Sequence, residues 1–134
     1  MHDPAAPAPL AGLVVLLVED EPLIALDVVC TLEDAGAVVE GAHATAAAAF
    51  AAMDGAVRLD AAVLDVDLGA ETSEGIFHRL RRAGVPVVLH TGGSRPGTAA
   101  RLEAPTVRKP ALPATLVAAV VRAARGGRAA RPAT

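Results

Sequence analysis

Residues 13–22, LVVLLVEDEP, run six apolar side chains straight into three carboxylates and a proline. An unbroken apolar run rich in Val reads as a strand covered on both faces, which is how a parallel sheet looks when helices pack on either side. Pro22 suits a first helical position, where the missing N–H removes no hydrogen bond. Working outward, the same alternation repeats. Strand-like runs at 13–18, 38–42, 61–64, 86–89 and, more weakly, 106–108 separate Ala/Leu-rich helical stretches at 22–35, 45–53, 73–83 and 113–124. A β-α-β-α series predicts an α/β fold built on an open, doubly wound sheet. Ligands of such sheets sit at the carboxyl ends of the strands.

With 134 residues the chain has room for one domain, predicted over 13–124. The flanks 1–12 and 125–134 carry no periodic apolar pattern and read as flexible arms. Arg122, Arg125, Arg128 and Arg131 then read as a solvated basic end. A net charge of −3 provides no basic field for a nucleic acid backbone, so no nucleic acid partner is expected. The single cysteine, Cys30, excludes an intrachain disulfide, and the scattered His2, His43, His78 and His90 give no structural zinc pattern. No apolar run approaches the roughly 18 residues of a membrane span. No Lys or Arg precedes the first apolar run as a signal peptide requires, so a cytoplasmic protein is expected. Cys30 and His78 lie among apolar neighbours in helical stretches and are expected in core or boundary packing. His90 borders Thr91, but strand alternation turns the two side chains to opposite faces.

The strand ends carry the chemistry. The first ends in Glu19-Asp20, the third in Asp65 with Asp67 two residues on, the fourth in Thr91 and the fifth in Lys109-Pro110. Brought to one rim, they make a site of carboxylates, a hydroxyl and one ammonium. Two carboxylates about 4 Å apart repel by roughly 4 kcal/mol at an effective dielectric near 20, so the cluster requires a cation. Carboxylate and carbonyl oxygens suit Mg²⁺. An ionised aspartate is a nucleophile toward an activated phosphoryl group, and Lys109 and Thr91 can meet charge on the transferring oxygens. Taken singly, each motif also fits a bland role: an acidic first turn for Glu19-Asp20-Glu21, a turn residue for Asp65, a plain turn at Thr91, a solvated lysine at Lys109.

Four motifs in order, LLVEDEP, AVLDVDLG, LHTGG and VRKP, resemble the receiver domain of bacterial response regulators over residues 13–124. The resemblance implies a flavodoxin-like five-stranded parallel sheet of order 2-1-3-4-5 with five helices. It implies that Asp65 accepts a phosphoryl group from a histidine kinase or histidine phosphotransfer protein. It implies Mg²⁺ held by Glu19, Asp20, Asp65 and the backbone carbonyl of Asp67, phosphoryl contacts from Thr91 and Lys109, an open approach at Gly92, and a cis bond at Lys109-Pro110.

Two departures from that family's pattern stand out. The family's Tyr or Phe in the last strand is Thr106 here, so no ring can swing on phosphorylation. Gly92, Gly93, Pro96 and Gly97 leave only 98–103 for a fourth helix, which should be short or irregular. The Thr-Gly pair is similar to a group of alphaproteobacterial single-domain receivers whose motif reads Phe-Ala-Thr-Gly, with Leu89-His90 in place of its first two residues. The expected protein is a stand-alone phosphorelay receiver, not an enzyme in the usual sense, that signals through protein contacts and the loop 91–103. Two other readings are a phosphorylation-independent binding module and an Mg²⁺-dependent Asp-x-Asp phosphohydrolase. Against the latter, the Asp-x-Asp motif of those enzymes lies on the first strand, a place that Glu19-Asp20 occupies here.

Overall fold

The computed structural model describes residues 8–56, 58–92 and 102–130, the last four by backbone alone. The elements follow in the order β1 (Val14–Val18), α1 (Pro22–Asp34), β2 (Val38–His43), α2 (Ala46–Gly55), β3 (Ala61–Leu64), β4 (Asp67–Leu68), β5 (Glu71–Thr72), α3 (Glu74–Arg82), β6 (Val87–Thr91), β7 (Thr106–Arg108) and α4 (Pro113–Ala130). Five strands form one sheet in the order β2-β1-β3-β6-β7, with every pairing parallel. In sequence order of the five main strands this is the expected 2-1-3-4-5, and the flavodoxin-like fold follows from it.

Each central strand is buried on both faces, and two apolar layers result. Val15, Leu17, Val63 and Val88 face α1 and α4, while Leu16, Val18, Leu64 and Leu89 face α2 and α3. The cores are built from Ala, Val and Leu, with Phe77 a rare aromatic among them. Among the described residues, no helix is long and apolar enough to cross a membrane.

Several local expectations are corrected. The segment read as an arm is ordered from residue 8: Leu10 is fully buried, and its N–H donates to the Ala35 carbonyl at 2.7 Å. Gly36, at φ +99°, makes this possible, since a Cβ there would stand 2.8 Å from the Cβ of Ala8. At the other end, α4 continues to Ala130 rather than stopping near 124. Its two glycines each cost about 1 kcal/mol of helix propensity, and the Arg/Ala residues around them restore it. Cys30 and His78 are exposed, because their apolar sequence neighbours project from other faces of the helices. The short antiparallel hairpin β4–β5 was not anticipated. The fourth helix expected at 98–103 falls largely outside the described residues, as does most of the loop 91–103.

Candidate phosphoacceptor site

Glu19 and Asp65 stand at the ends of neighbouring strands because the apolar runs before them hold β1 and β3 in register, Val18 opposite Leu64. The Asp65 N–H donates to the Val18 carbonyl at 2.8 Å, and the Glu19 N–H to the His43 carbonyl at 3.0 Å, so both chains leave the sheet at one level. That pulls two carboxylates out of water: Glu19 is 2% exposed and Asp65 7%. Oxygens of Glu19, Asp20 and Asp65 lie within 4.8 Å of one another.

Lys109 closes the cluster. Thr91 and Arg108 are paired across β6 and β7, and the Lys109 N–H donates to the Thr91 carbonyl at 2.9 Å. The cis Lys109-Pro110 bond follows immediately. From there the lysine Nζ reaches Glu19 Oε1 at 2.6 Å and Asp65 Oδ2 at 3.1 Å. Two backbone amides fix the remaining oxygens: the Glu21 N–H donates to Glu19 Oε2 at 3.1 Å, and the Asp67 N–H to Asp65 Oδ1 at 3.2 Å. Thr91 is buried at the end of β6, and Gly92 is exposed beside it. Among the described residues, a Cβ on Gly92 would meet nothing within 4 Å.

The charges do not balance. Burial, then the hydrogen bond and negative charge of Glu19, push the Asp65 carboxyl up to about 7, against the opposing pull of Lys109. Burial also raises Glu19, but contacts with Lys109 and Asp65 outweigh it and hold that carboxyl below its ordinary value. For Lys109, burial favours loss of the proton and the two carboxylates overcome it, so the ammonium persists. Among the described residues, two buried carboxylates thus share one ammonium, with Asp20 adding a third acid at the rim. Such a set tolerates full ionisation only with a further cation.

Magnesium fits this donor set. Its ligands are hard oxygens at 2.0–2.1 Å, which places pairs of ligand oxygens about 3–4.2 Å apart, and small side-chain rotations close the present spread to that range. Asp67 is half-buried at the first residue of β4, tied to Asp65 through its amide. His90 is 5% exposed, on the side of the sheet that Val88 faces, as alternation requires. Burial and the nearby Lys109 lower its pKa, which keeps the imidazole neutral.

Sequence reasoning passed over two carboxylates with structural duties. Asp60 accepts the Val14 N–H at 2.8 Å and pairs with Arg58 at 2.8 Å. Glu71 on the hairpin accepts the N–H of Ala46, the first residue of α2, at 2.8 Å. The Arg-x-Asp spacing just before β3 was a readable signal for the first; the second depends on a hairpin that only the folded chain forms.

No protein-family model and no curated protein matches this chain. Solved structures do. A signal receiver domain of a modulated diguanylate cyclase from Desulfovibrio desulfuricans is 27% identical, with a TM-score of 0.77 over 88% of this chain and 98% of that one. The response regulator PhyR from Brucella abortus is 25% identical, with a TM-score of 0.71 over 87% of this chain and 49% of its own. A CheY-like receiver domain from Methanospirillum hungatei shares 20% identity and the fold, with a TM-score of 0.77 over 87% of this chain and 97% of that one. These neighbours are receiver domains of response regulators, and this chain shares their architecture.

Proposed function

We propose that this protein is a receiver that accepts a phosphoryl group on Asp65 from a phosphohistidine of a histidine kinase or histidine phosphotransfer protein. The observation that carries the reading is the Lys109 ammonium set between Glu19 and Asp65 at 2.6 and 3.1 Å, in a cluster short of positive charge. A buried carboxylate with too few counter-ions is a reactive one.

In the transfer, the N–P bond of the donor breaks and a bond forms from an Asp65 carboxylate oxygen to phosphorus, while the released imidazole nitrogen regains a proton. The Asp67 amide on Oδ1 orients the nucleophile, leaving Oδ2 toward Lys109. Lys109 then follows the charge onto a phosphoryl oxygen, and the Thr91 hydroxyl donates to another. Gly92 keeps that side free of a Cβ. Glu19, Asp20, Asp65 and the backbone carbonyl of Asp67 would hold Mg²⁺, which when bound would offset the charge on these carboxylates and on the phosphoryl oxygens.

Three exposed leucines follow closely on site residues in the chain. Leu23, Leu26 and Leu112 are 80, 61 and 74% exposed. They lie on the first turns of α1 and in the loop after Lys109-Pro110, and an apolar rim of this kind suits a protein donor better than a small metabolite. Thr91-Gly92 supports placement near the Phe-Ala-Thr-Gly receivers, and the absence of an aromatic at Thr106 supports signalling through the loop 91–103. Amide exchange with and without beryllofluoride tests the loop: protection is expected there, and an unchanged loop removes that part of the reading.

The decisive experiment is intact mass after incubation with acetyl phosphate. One added phosphoryl group is expected with Mg²⁺, none after chelation, and none in Asp65→Asn. An unchanged mass with Mg²⁺ overturns the proposal in favour of a phosphorylation-independent module, and phosphate release from simple phosphomonoesters would favour a hydrolase.

A further inference from the structure

Helices α1 and α4 lie side by side on one face of the sheet, and among the described residues the groove between them is open, with a volume of about 770 Å³. Cys30 and Asp34 of α1 line it, opposite Ala114, Val117, Val121 and Arg122 of α4. Its floor is apolar, and its walls are charged in an unusual way. Helix α1 carries Asp27, Glu33 and Asp34 and no Lys or Arg; α4 carries Arg122, Arg125 and Arg128 and no acid. Asp27, Asp34, Arg122 and Arg125 are exposed, and among the described residues none of the four makes an ion pair. Asp34 and Arg122 share one stretch of groove without joining.

A face with its negative charge on one helix and its positive charge on the parallel neighbour complements itself. Both helices run from the carboxyl ends of their strands back toward the amino ends, since all five strands are parallel. Rotation by 180° about an axis along the groove keeps every residue at its height and exchanges left for right. It sets α1 of one protomer over α4 of its partner, and α4 over α1. Asp34 then faces Arg122 across the interface twice, and the apolar floor of each groove is covered. A single-signed partner would satisfy one helix and repel the other.

We infer that the α1–α4 face is a two-fold interface between copies of this chain, held by an apolar seam and by reciprocal α1-acid to α4-arginine contacts. An isologous contact of this kind closes at a dimer. None of these residues belongs to the acidic cluster, so a dimer is read separately from phosphoryl acceptance, although Leu23 and Leu26 of the proposed donor rim lie on the same helix.

Charge reversal tests it with a result that general surface effects do not mimic. Sedimentation or light scattering of the full chain at micromolar concentrations should show a dimer. Asp34→Lys alone and Arg122→Glu alone should each weaken it roughly tenfold or more, as reversal of two symmetry-related contacts implies. Both sites are exposed, and unchanged far-UV circular dichroism will verify the fold. An equimolar mixture of the two single variants should dimerise again: the introduced lysine meets the introduced glutamate on one side, and the native pair survives on the other. Alkylation of Cys30 should slow as wild-type protein is concentrated and should not in either variant. A wild-type chain that stays monomeric, a single variant that still dimerises, or a mixture that does not recover overturns the inference.

Discussion

Asp60 and Asp65 bracket the same four-residue strand, β3, and are about equally buried, at 8 and 7% exposure. Their surroundings differ in charge count. At the amino end, Asp60 meets the Arg58 guanidinium and the Val14 backbone amide, so a positive charge stands against its own. At the carboxyl end, Asp65 faces a second carboxylate across a single ammonium. A matched buried acid stabilises its neighbourhood and has nothing left to offer a ligand; an unmatched one costs stability and is available for chemistry. Burial alone does not distinguish the two.

The largest way to break this contrast is to remove the unmatched charge. Asp65→Asn should abolish phosphoryl acceptance from acetyl phosphate entirely, read by intact mass, while keeping or raising thermal stability, because it removes a like-charge repulsion from Glu19. Lost stability together with lost acceptance would show that Asp65 is matched after all. Next comes the shared counter-ion. Lys109→Met should slow acceptance by about a hundredfold or more, the usual loss when a preorganised donor to developing charge is removed. It should also destabilise the fold in the absence of Mg²⁺, since it strands two buried carboxylates.

The carboxyl-end cluster was legible in the sequence because each of its members terminates a run that burial makes unmistakable. VVLLV and AAVL are apolar throughout, so the abrupt change to Glu19-Asp20 and to Asp65 marks where each strand leaves the sheet. The matched acid at the other end was not legible in the same way, since Asp60 precedes its strand without an apolar run pointing at it. Leu10 is one apolar residue in a Pro/Ala-rich stretch, and its burial depends on the cleft beside Gly36, a tertiary feature. The hairpin β4–β5 has strands of two residues each, too short for any period to register, and Gly69 at φ +63° turns it.

The contrast also predicts a pH response. A carboxyl raised in the folded state binds its proton more tightly there than in the unfolded chain. Its contribution is therefore complete below the ordinary value of 3.8 and is lost as pH rises toward about 7. Glu19 works in the opposite sense, its contribution fading as pH falls through its lowered value. Without divalent cation, the thermal midpoint should thus fall by about 5 °C between roughly pH 5 and pH 8. Excess Mg²⁺ at the higher pH should recover that loss by binding the ionised cluster. Far-UV circular dichroism is the suitable probe, as the chain has no Trp or Tyr. Asp65→Asn should flatten the profile, and a wild-type midpoint that rises steadily with pH in the absence of Mg²⁺ contradicts the charge imbalance.

The smallest effects belong to the matched end, and they separate its two partners. Arg58 is 56% exposed in the pair, so water screens much of the attraction. Asp60→Asn keeps an oxygen for the Val14 amide and loses only the charge, which should cost under about 1 kcal/mol. Asp60→Ala also strands that amide, and a partly buried donor without an acceptor costs about 1–3 kcal/mol. Thermal melts should therefore rank alanine well below asparagine. Both variants should accept phosphoryl groups as the wild type does, because the strand between residues 60 and 65 is held by its pairing with β1 and β6 and not by the acid at its start. If asparagine proves as damaging as alanine, the charge and not the amide holds Asp60, and the two ends of β3 are less different than their partner counts imply.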